Sequence, residues 1–154
     1  MLPPDWSLVA QNIYSLLKPG GSVQWIEGNL TQLRTPLHGT PGSSTAAMEE
    51  GFHRFIGGVP HLDWASTNLS GVLKDVGFED VLHEVTSSDR EPDTREQMSE
   101  VCNGACFSGL RRLIANGALD AAVAESLMQR MKDEVKGGAY ARCDMHVWAA
   151  RKPI

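Results

Sequence analysis

Apolar side chains recur at three-to-four-residue intervals in five stretches of the chain, and three shorter runs rich in β-branched and aromatic residues lie between them. The first stretch places Trp6, Val9, Ile13, Leu16 and Leu17 on one helical face, behind Pro3, Pro4 and a capping Asp5. Pro19 and the Gly20-Gly21 pair end that helix, because proline disfavours helical geometry at the residue before it and glycine permits a tight reversal. "SVQWIE" at 22 to 27 then reads as a strand. Both of its faces are largely apolar, so it is expected inside a sheet with helices on both sides. Residues 28 to 43 are rich in turn formers and read as a loop. Ser43 or Ser44 opens a helix with Met48, Phe52, Phe55 and Ile56 in register, stopped at "GGVP". Asp63 opens another, carrying Ala65, Leu69, Val72, Leu73 and Val76 and closed by Gly77.

"FEDVLHEVTSS" is the second strand. A helix capped by Thr94 and Gln97 follows, with Met98, Val101, Cys102 and Ala105 as its apolar face. Gly104 and Gly109 lie in its interior, where each costs about 1 kcal/mol against alanine, so a bend or a close approach is expected there. Asp120 caps the last helix, with Val123, Leu127, Met131 and Val135 in register, and Gly137-Gly138 ends it. "AYARCDMHVWAARKP" supplies the third strand. The order is αβααβ, then two helices, then a strand. The 154 residues form one domain, with residues 92 to 138 as a helical insertion between two strands that could serve as a lid.

Composition narrows the function classes. A hydrophobic share of 42% against 21% charged residues is globular, and no apolar run is long enough to span a bilayer. Neither a secretory signal nor a transit peptide is visible, so a cytoplasmic location is expected. A formal net charge of -5 without a basic run argues against nucleic acid and against an anionic membrane as partner. The three cysteines, Cys102, Cys106 and Cys143, form no CxxC pair, which argues against a disulfide framework and a structural zinc site. No metal is expected.

Three segments carry a family resemblance: "LLKPGGSVQWIE" at 16 to 27, "LKDVGFEDV" at 73 to 81 and "DMHVWAARKP" at 144 to 153. In this order they resemble the last three strands of a class I S-adenosylmethionine-dependent methyltransferase, and most closely the methyltransferase-like proteins of fungal secondary metabolism. The resemblance implies a truncated, Rossmann-like α/β half-fold: a three-stranded mixed sheet with flanking helices and a helical lid insertion. The third strand would insert antiparallel between the first two, leaving the strand at 22 to 27 at an edge. The glycine-rich turn and ribose-binding acid of that family's cofactor half have no counterpart here. "HGTPGSS" at 38 to 44 does not supply one, so no cofactor is expected. By the same analogy the chain begins just after the fourth strand. An edge and helix faces without their partners would need covering, so a homo-oligomer, and most simply a dimer, is expected.

In open sheets of this kind ligands sit beyond the carboxyl ends of the parallel strands. That end would gather Glu27, Asn29, the loop bearing His38, residues 86 to 89 and the segment from Tyr140 to Asp144, under a lid offering Met98, Val101, Cys102 and Phe107 to a hydrophobic small molecule. Glu27 is the leading acid/base candidate, because a carboxylate at a strand end beneath an apolar lid can take and return a proton. His38 could swing into the site from its loop. His53 is a further catalytic candidate, although Glu49 four residues before it also suits a surface pair. Asn29, Met98, Val101, Cys102, Phe107, Tyr140 and Asp144 are the substrate-contact candidates. His83 and His146, on neighbouring strands, read as hydrogen-bonded core imidazoles, and Cys102 with Cys106 as packing.

Three functions fit these features. One is a cofactor-independent catalyst of natural-product biosynthesis, promoting cyclisation, isomerisation or a pericyclic step. The second is the substrate-binding part of an S-adenosylmethionine-dependent O-methyltransferase completed by another chain. The third is a non-catalytic binding or regulatory remnant.

Overall fold

Each apolar stripe becomes a helix in the computed structural model, which describes residues 5–57 and 62–154. The helices are α1 (Asp5–Leu16), α2 (Ala46–Ile56), α3 (Trp64–Val76), α4 (Pro92–Ala115) and α5 (Ala121–Lys136). The strands are β1 (Ser22–Gly28), β2 (Leu37–His38), β3 (Glu79–Ser87), β4 (Ala139–Tyr140) and β5 (Asp144–Arg151). The class is mixed α/β. Pro3, Pro4, the side chain of Asp5 and positions 58–60 of the expected α2 stop lie outside the described residues. No described helix is long and apolar enough to cross a membrane.

The described residues fall into two compact units, one formed by residues 5–29, 62–86 and 144–154, the other by 30–57 and 87–143. The first holds a three-stranded sheet in the order β1-β5-β3. β1 and β5 are antiparallel, with Trp25 opposite Trp148 and Glu27 opposite His146. Along β3 and β5 the contacts run in opposite senses, since Asp80 meets Arg151 at 2.9 Å and His83 meets His146 at 3.0 Å. The last strand therefore lies between two strands that run parallel to each other, as the resemblance implied.

Helices α1 and α3 cover one face of this sheet. Ala10, Leu69, Leu73, Phe78, Trp148 and Ala150 are buried there, Trp6 stacks on Trp25 and Trp64, and Trp148 donates its indole N–H to Ser70 at 2.9 Å. The Lys152 ammonium donates to the carbonyls of Tyr14 and Leu17, both at 2.9 Å, and so satisfies acceptors at the α1 C-terminus. Cover on both faces of β1 was expected, and this is corrected: Val23 and Trp25 pack into the core, while Ile26, on the opposite face, is 50% exposed. Leu82 of β3, one residue on from the core-packed Val81, is 64% exposed. An apolar residue on each face signals hydrophobicity without saying which face finds a partner.

The second unit packs α2, α4 and α5 together and adds a two-stranded antiparallel sheet of β2 with β4. The segment read as one final strand is thus divided, with Ala139–Tyr140 pairing to Leu37–His38 and only Asp144–Arg151 entering the larger sheet. The stretch from 30 to 43 carries a short 3-10 turn at Leu30–Arg34 and the strand β2, where a plain loop was expected. Residues 92 to 138 belong to this unit together with 30–57.

Two expectations for α4 are corrected. The helix starts at Pro92, so Thr94 lies within its first turn and is not the cap. Its buried face is Ser99, Cys102, Asn103, Cys106, Phe107 and Leu110, whereas Val101 is 67% exposed. The apolar count misjudged the face because Ser99 is satisfied inside, donating to the Arg95 carbonyl at 2.7 Å and accepting from the Ala141 N–H at 2.9 Å. Gly109 is approached by the Phe55 ring, and Gly104 faces open space. Asp120 caps α5 as read, accepting from the Val123 N–H at 3.0 Å.

Candidate functional site

The spacing of residues on α4 builds one wall of a groove in the second unit. Asn103, Gly104 and Phe107 from α4, Lys132 and Val135 from α5, and Tyr140 from β4 line a groove of about 730 Å³. Gly104 keeps the α4 wall low, because no atom lies within 4 Å of where its Cβ would stand. At one end the Lys132 ammonium lies 5.6 Å from the Phe107 ring centroid. At the other the Arg95 guanidinium lies over the Tyr140 ring at 5.2 Å and pairs with Asp89 at 2.7 Å. Tyr140 donates its hydroxyl to Asp89 at 2.8 Å. Burial, and then the Asp89 carboxylate, push the Tyr140 hydroxyl above its usual pKa, so it is protonated at neutral pH.

Asn103 is 6% exposed, and its Oδ1 has no hydrogen-bond partner among the described residues. Buried amide oxygens in native structures are nearly always paired; this one is an exception, and being fully buried it does not open onto the groove. Sequence reading passed over it because a lone asparagine inside a helix carries no spacing signal. Of the residues named from sequence, Phe107 and Tyr140 line this groove. Met98 is half-buried outside its lining, Val101 is exposed, and Cys102 is buried in packing, where burial, followed by the neighbouring Cys143 and Cys106, pushes its thiol up to about 12.

Glu27 and Asn29 lie in the first unit. With His146, the register partner of Glu27, they line a cleft of about 10 Å³, room for no more than a single water. The Glu27 carboxylate accepts the Trp25 indole N–H at 2.8 Å. His146 in turn meets His83 at 3.0 Å, and both imidazoles stack with Trp148, His83 at 4.4 Å between centroids. The two histidines are neighbours as read, but the picture of core imidazoles is corrected: His83 is exposed and His146 half-buried. Burial first, then the charge of His83, lower the pKa of His146, against an opposing pull from Asp144. Asp144 itself is buried at the start of β5.

The remaining candidates lie elsewhere in the second unit. The His38 imidazole is exposed and within 2.6 Å of the Ser43 carbonyl through Nδ1. His53 is exposed and lines a depression with Arg34, Glu49, Glu50 and Arg54. The Glu50 carboxyl there is held below its usual range, chiefly by its hydrogen bond to Arg54 and despite its partial burial. Glu49 accepts from Thr45 at 2.6 Å.

The glycine-containing loop at 38 to 44 does connect a strand to a helix, a point the sequence reading missed, yet it does not fit a phosphate or cofactor cradle. In such a cradle the N–H groups at the helix start face a bound anion. Here the Glu134 carboxylate already takes them, accepting from Ala47 N–H at 2.9 Å, Met48 N–H at 2.8 Å and the Ser44 hydroxyl at 2.6 Å. Among the described residues no group of three or more histidine, cysteine, aspartate or glutamate side chains is arranged to hold a metal ion.

No protein-family model matches the chain, and no curated protein does. Two solved structures similar to it are of a phosphoethanolamine N-methyltransferase 2 from Haemonchus contortus. The form with phosphomonomethylethanolamine and S-adenosylhomocysteine is 17% identical over 97% of this chain and 31% of that one, with a TM-score of 0.41. The selenomethionine form with S-adenosyl-L-methionine is 16% identical over 96% and 30%, with a TM-score of 0.40. The chain spans under a third of the length of these structures.

Proposed function

We propose that the chain takes a hydrophobic small molecule into the groove between α4, α5 and β4 and promotes its cyclisation, isomerisation or a pericyclic step without a cofactor. The observation that carries this reading is the groove itself: about 730 Å³, within the range of small-molecule sites, with Phe107, Val135 and Ala139 as apolar wall and charged side chains of both signs around it. Unimolecular rearrangements gain most from being held in a near-attack conformation, and a fixed polar contact orients the reacting part. Tyr140, held by Asp89 and lining the groove, is the polar contact available. Glu27, the acid/base candidate named from sequence, lines a small cleft of the first unit and not this groove, so it has no part in this reading. His38 and His53, both exposed, have no part in it.

A nuclear magnetic resonance screen of apolar fragments against the labelled chain tests the proposal. Shifts concentrated on Phe107, Val135 and Tyr140 are expected, and Phe107→Ala should remove them. A screen in which no fragment moves these resonances overturns it. Once a converted substrate is found, Tyr140→Phe should lower turnover at unchanged folding, and full activity in that variant would discard Tyr140 as the orienting contact.

A second reading is supported by the exposed apolar side chains of the three-stranded sheet, Ile26 and Leu82. In it the chain is the substrate-binding part of an S-adenosylmethionine-dependent O-methyltransferase, completed by another chain or by a second copy as a homodimer. Calorimetric titration with S-adenosylmethionine distinguishes the two: saturable binding by the purified chain favours completion by a second copy. Sedimentation as a monomer at all concentrations would remove the homodimer.

A further inference from the structure

We propose that two copies of the chain join along the free edge of β1, antiparallel about a two-fold axis at Trp25, so that their three-stranded sheets become one. The choice of a second copy as occupant rests on the second reading above. The ladder between β1 and β5 shows which backbone groups are free. At one end of it Lys152 donates its N–H to the Gly21 carbonyl at 2.8 Å, and at the other Asn29 donates to the Asp144 carbonyl at 2.9 Å. Hydrogen-bonded pairs alternate with non-bonded ones along antiparallel strands, so the odd-numbered residues of β1 bond to β5. Ser22, Gln24, Ile26 and Gly28 therefore turn their N–H and C=O groups away from β5, to the side where the sheet ends. Among the described residues no hydrogen bond reaches these groups from outside the sheet, and Ser22, Gln24 and Ile26 are exposed.

A second β1 meets this row in one register that uses all of it. A two-fold axis perpendicular to the sheet at Trp25 sets Gln24 opposite Ile26 of the second copy and Ser22 opposite Gly28 of the second copy. Each free residue then faces a free residue over the whole seven-residue strand. Such an axis keeps the helix-covered faces of both copies on one side. On that face Trp25 meets its own counterpart and Glu27 lies opposite Val23, so no like charges are set against each other. The other edge of the sheet is guarded. β3 carries Glu79, Asp80 and Glu84 with no lysine or arginine, and Asp80 leaves extended geometry at φ 51°. Two such strands repel, and charges and backbone irregularities are the devices that keep an edge from pairing. Pairing β1 of one copy with β3 of the next would leave an open edge at each end and continue without limit, whereas β1 paired with itself closes at two copies.

Sedimentation velocity of the full chain over a wide concentration range, with amide hydrogen exchange read residue by residue by nuclear magnetic resonance, tests the pairing. A dimer is expected. In it the N–H groups of Ser22, Gln24, Ile26 and Gly28 should exchange about tenfold more slowly, or slower still, than in the dissociated chain. Those of Val23, Trp25 and Glu27, bonded to β5 in either state, should change far less. Two double variants at solvent-facing positions read the register. Gln24→Lys with Ile26→Lys sets like charges directly opposite across the axis, and Gln24→Lys with Ile26→Glu sets opposite charges there. The first should associate about tenfold more weakly than the second. A dimer in which the four even-numbered amides exchange freely, or in which the two variants associate equally, overturns the pairing through β1 and leaves the homodimer of the second reading standing. A chain that is monomeric at every concentration overturns both, and leaves the edge to a strand of another protein.

Discussion

Alanine at Gly104 and at Gly109, five residues apart on one helix, should change stability in opposite directions. Either replacement removes the same conformational penalty of an interior helical glycine, about 1 kcal/mol. At position 104 the new methyl has no atom within 4 Å, so the gain stands, and the variant should be more stable by about 0.5–1 kcal/mol. At position 109 the methyl would stand 2.5 Å from Cδ2 and 3.1 Å from Cε2 of Phe55, well inside the roughly 3.5–4.0 Å of a relaxed carbon–carbon contact. Phe55 is half-buried on α2, so relieving the clash means turning its ring away from α4, which costs about 1–3 kcal/mol. Gly109→Ala should therefore lose between about 0 and 2 kcal/mol net, placing the two variants about 1–3 kcal/mol apart. Urea unfolding followed by far-ultraviolet circular dichroism reads this directly. With a slope of about 1.5 kcal/mol/M, the midpoints should straddle the parent and differ by about 0.7–2 M. Equal shifts in the same direction would refute the close approach of Phe55 to α4 and the openness of the groove at Gly104.

Glu134→Ala should cost about 1–3 kcal/mol by freeing the N–H groups of Ala47 and Met48 at the α2 start, and a loss below about 0.5 kcal/mol in urea unfolding would contradict the capping role. Cys102 and Cys106, pushed up to about 12 mainly by burial, should resist iodoacetamide at pH 7.5 in the native chain and react only on unfolding. Rapid native labelling of either, read by mass spectrometry, would show that the packing is open. The folded pKa of His146 lies below its unfolded value of about 6.5, so its contribution to stability is full above that pH and is lost as the pH falls through the folded value. The urea midpoint should drop on acidification below pH 6.5 less steeply in His146→Gln than in the parent, and identical slopes would remove His146 as the cause.

Most of the local structure was legible because its causes are local. The stripe of Met48, Phe52 and Ile56 on α2, the Asp120 cap of α5 and the left-handed Gly77 that ends α3 each follow from residues within a turn or two of one another. The strand order was legible through the resemblance of three segments taken in sequence. The candidate site was less so. Phe107 and Tyr140 were named, but Asn103 was not, since its significance is the absence of a partner and that is visible only once its neighbours are in place. Val101 was named for its hydrophobicity, and α4 turned a different face inward because Ser99 could be satisfied there by Arg95 and Ala141.

The sequence by itself determined the helices, the Asp120 cap of α5, the breaks between elements and the mixed α/β class, because backbone propensity and the spacing of apolar residues act over a few positions. Tertiary structure alone decided which face of β1 is covered and that Ala139–Tyr140 leaves the larger sheet to pair with Leu37–His38. It also decided that a carboxylate 87 residues away in sequence caps α2 through Ala47. Burial and hydrogen-bond satisfaction are properties of pairs of groups, and the members of these pairs are remote in sequence, so neither partner's position announces the other.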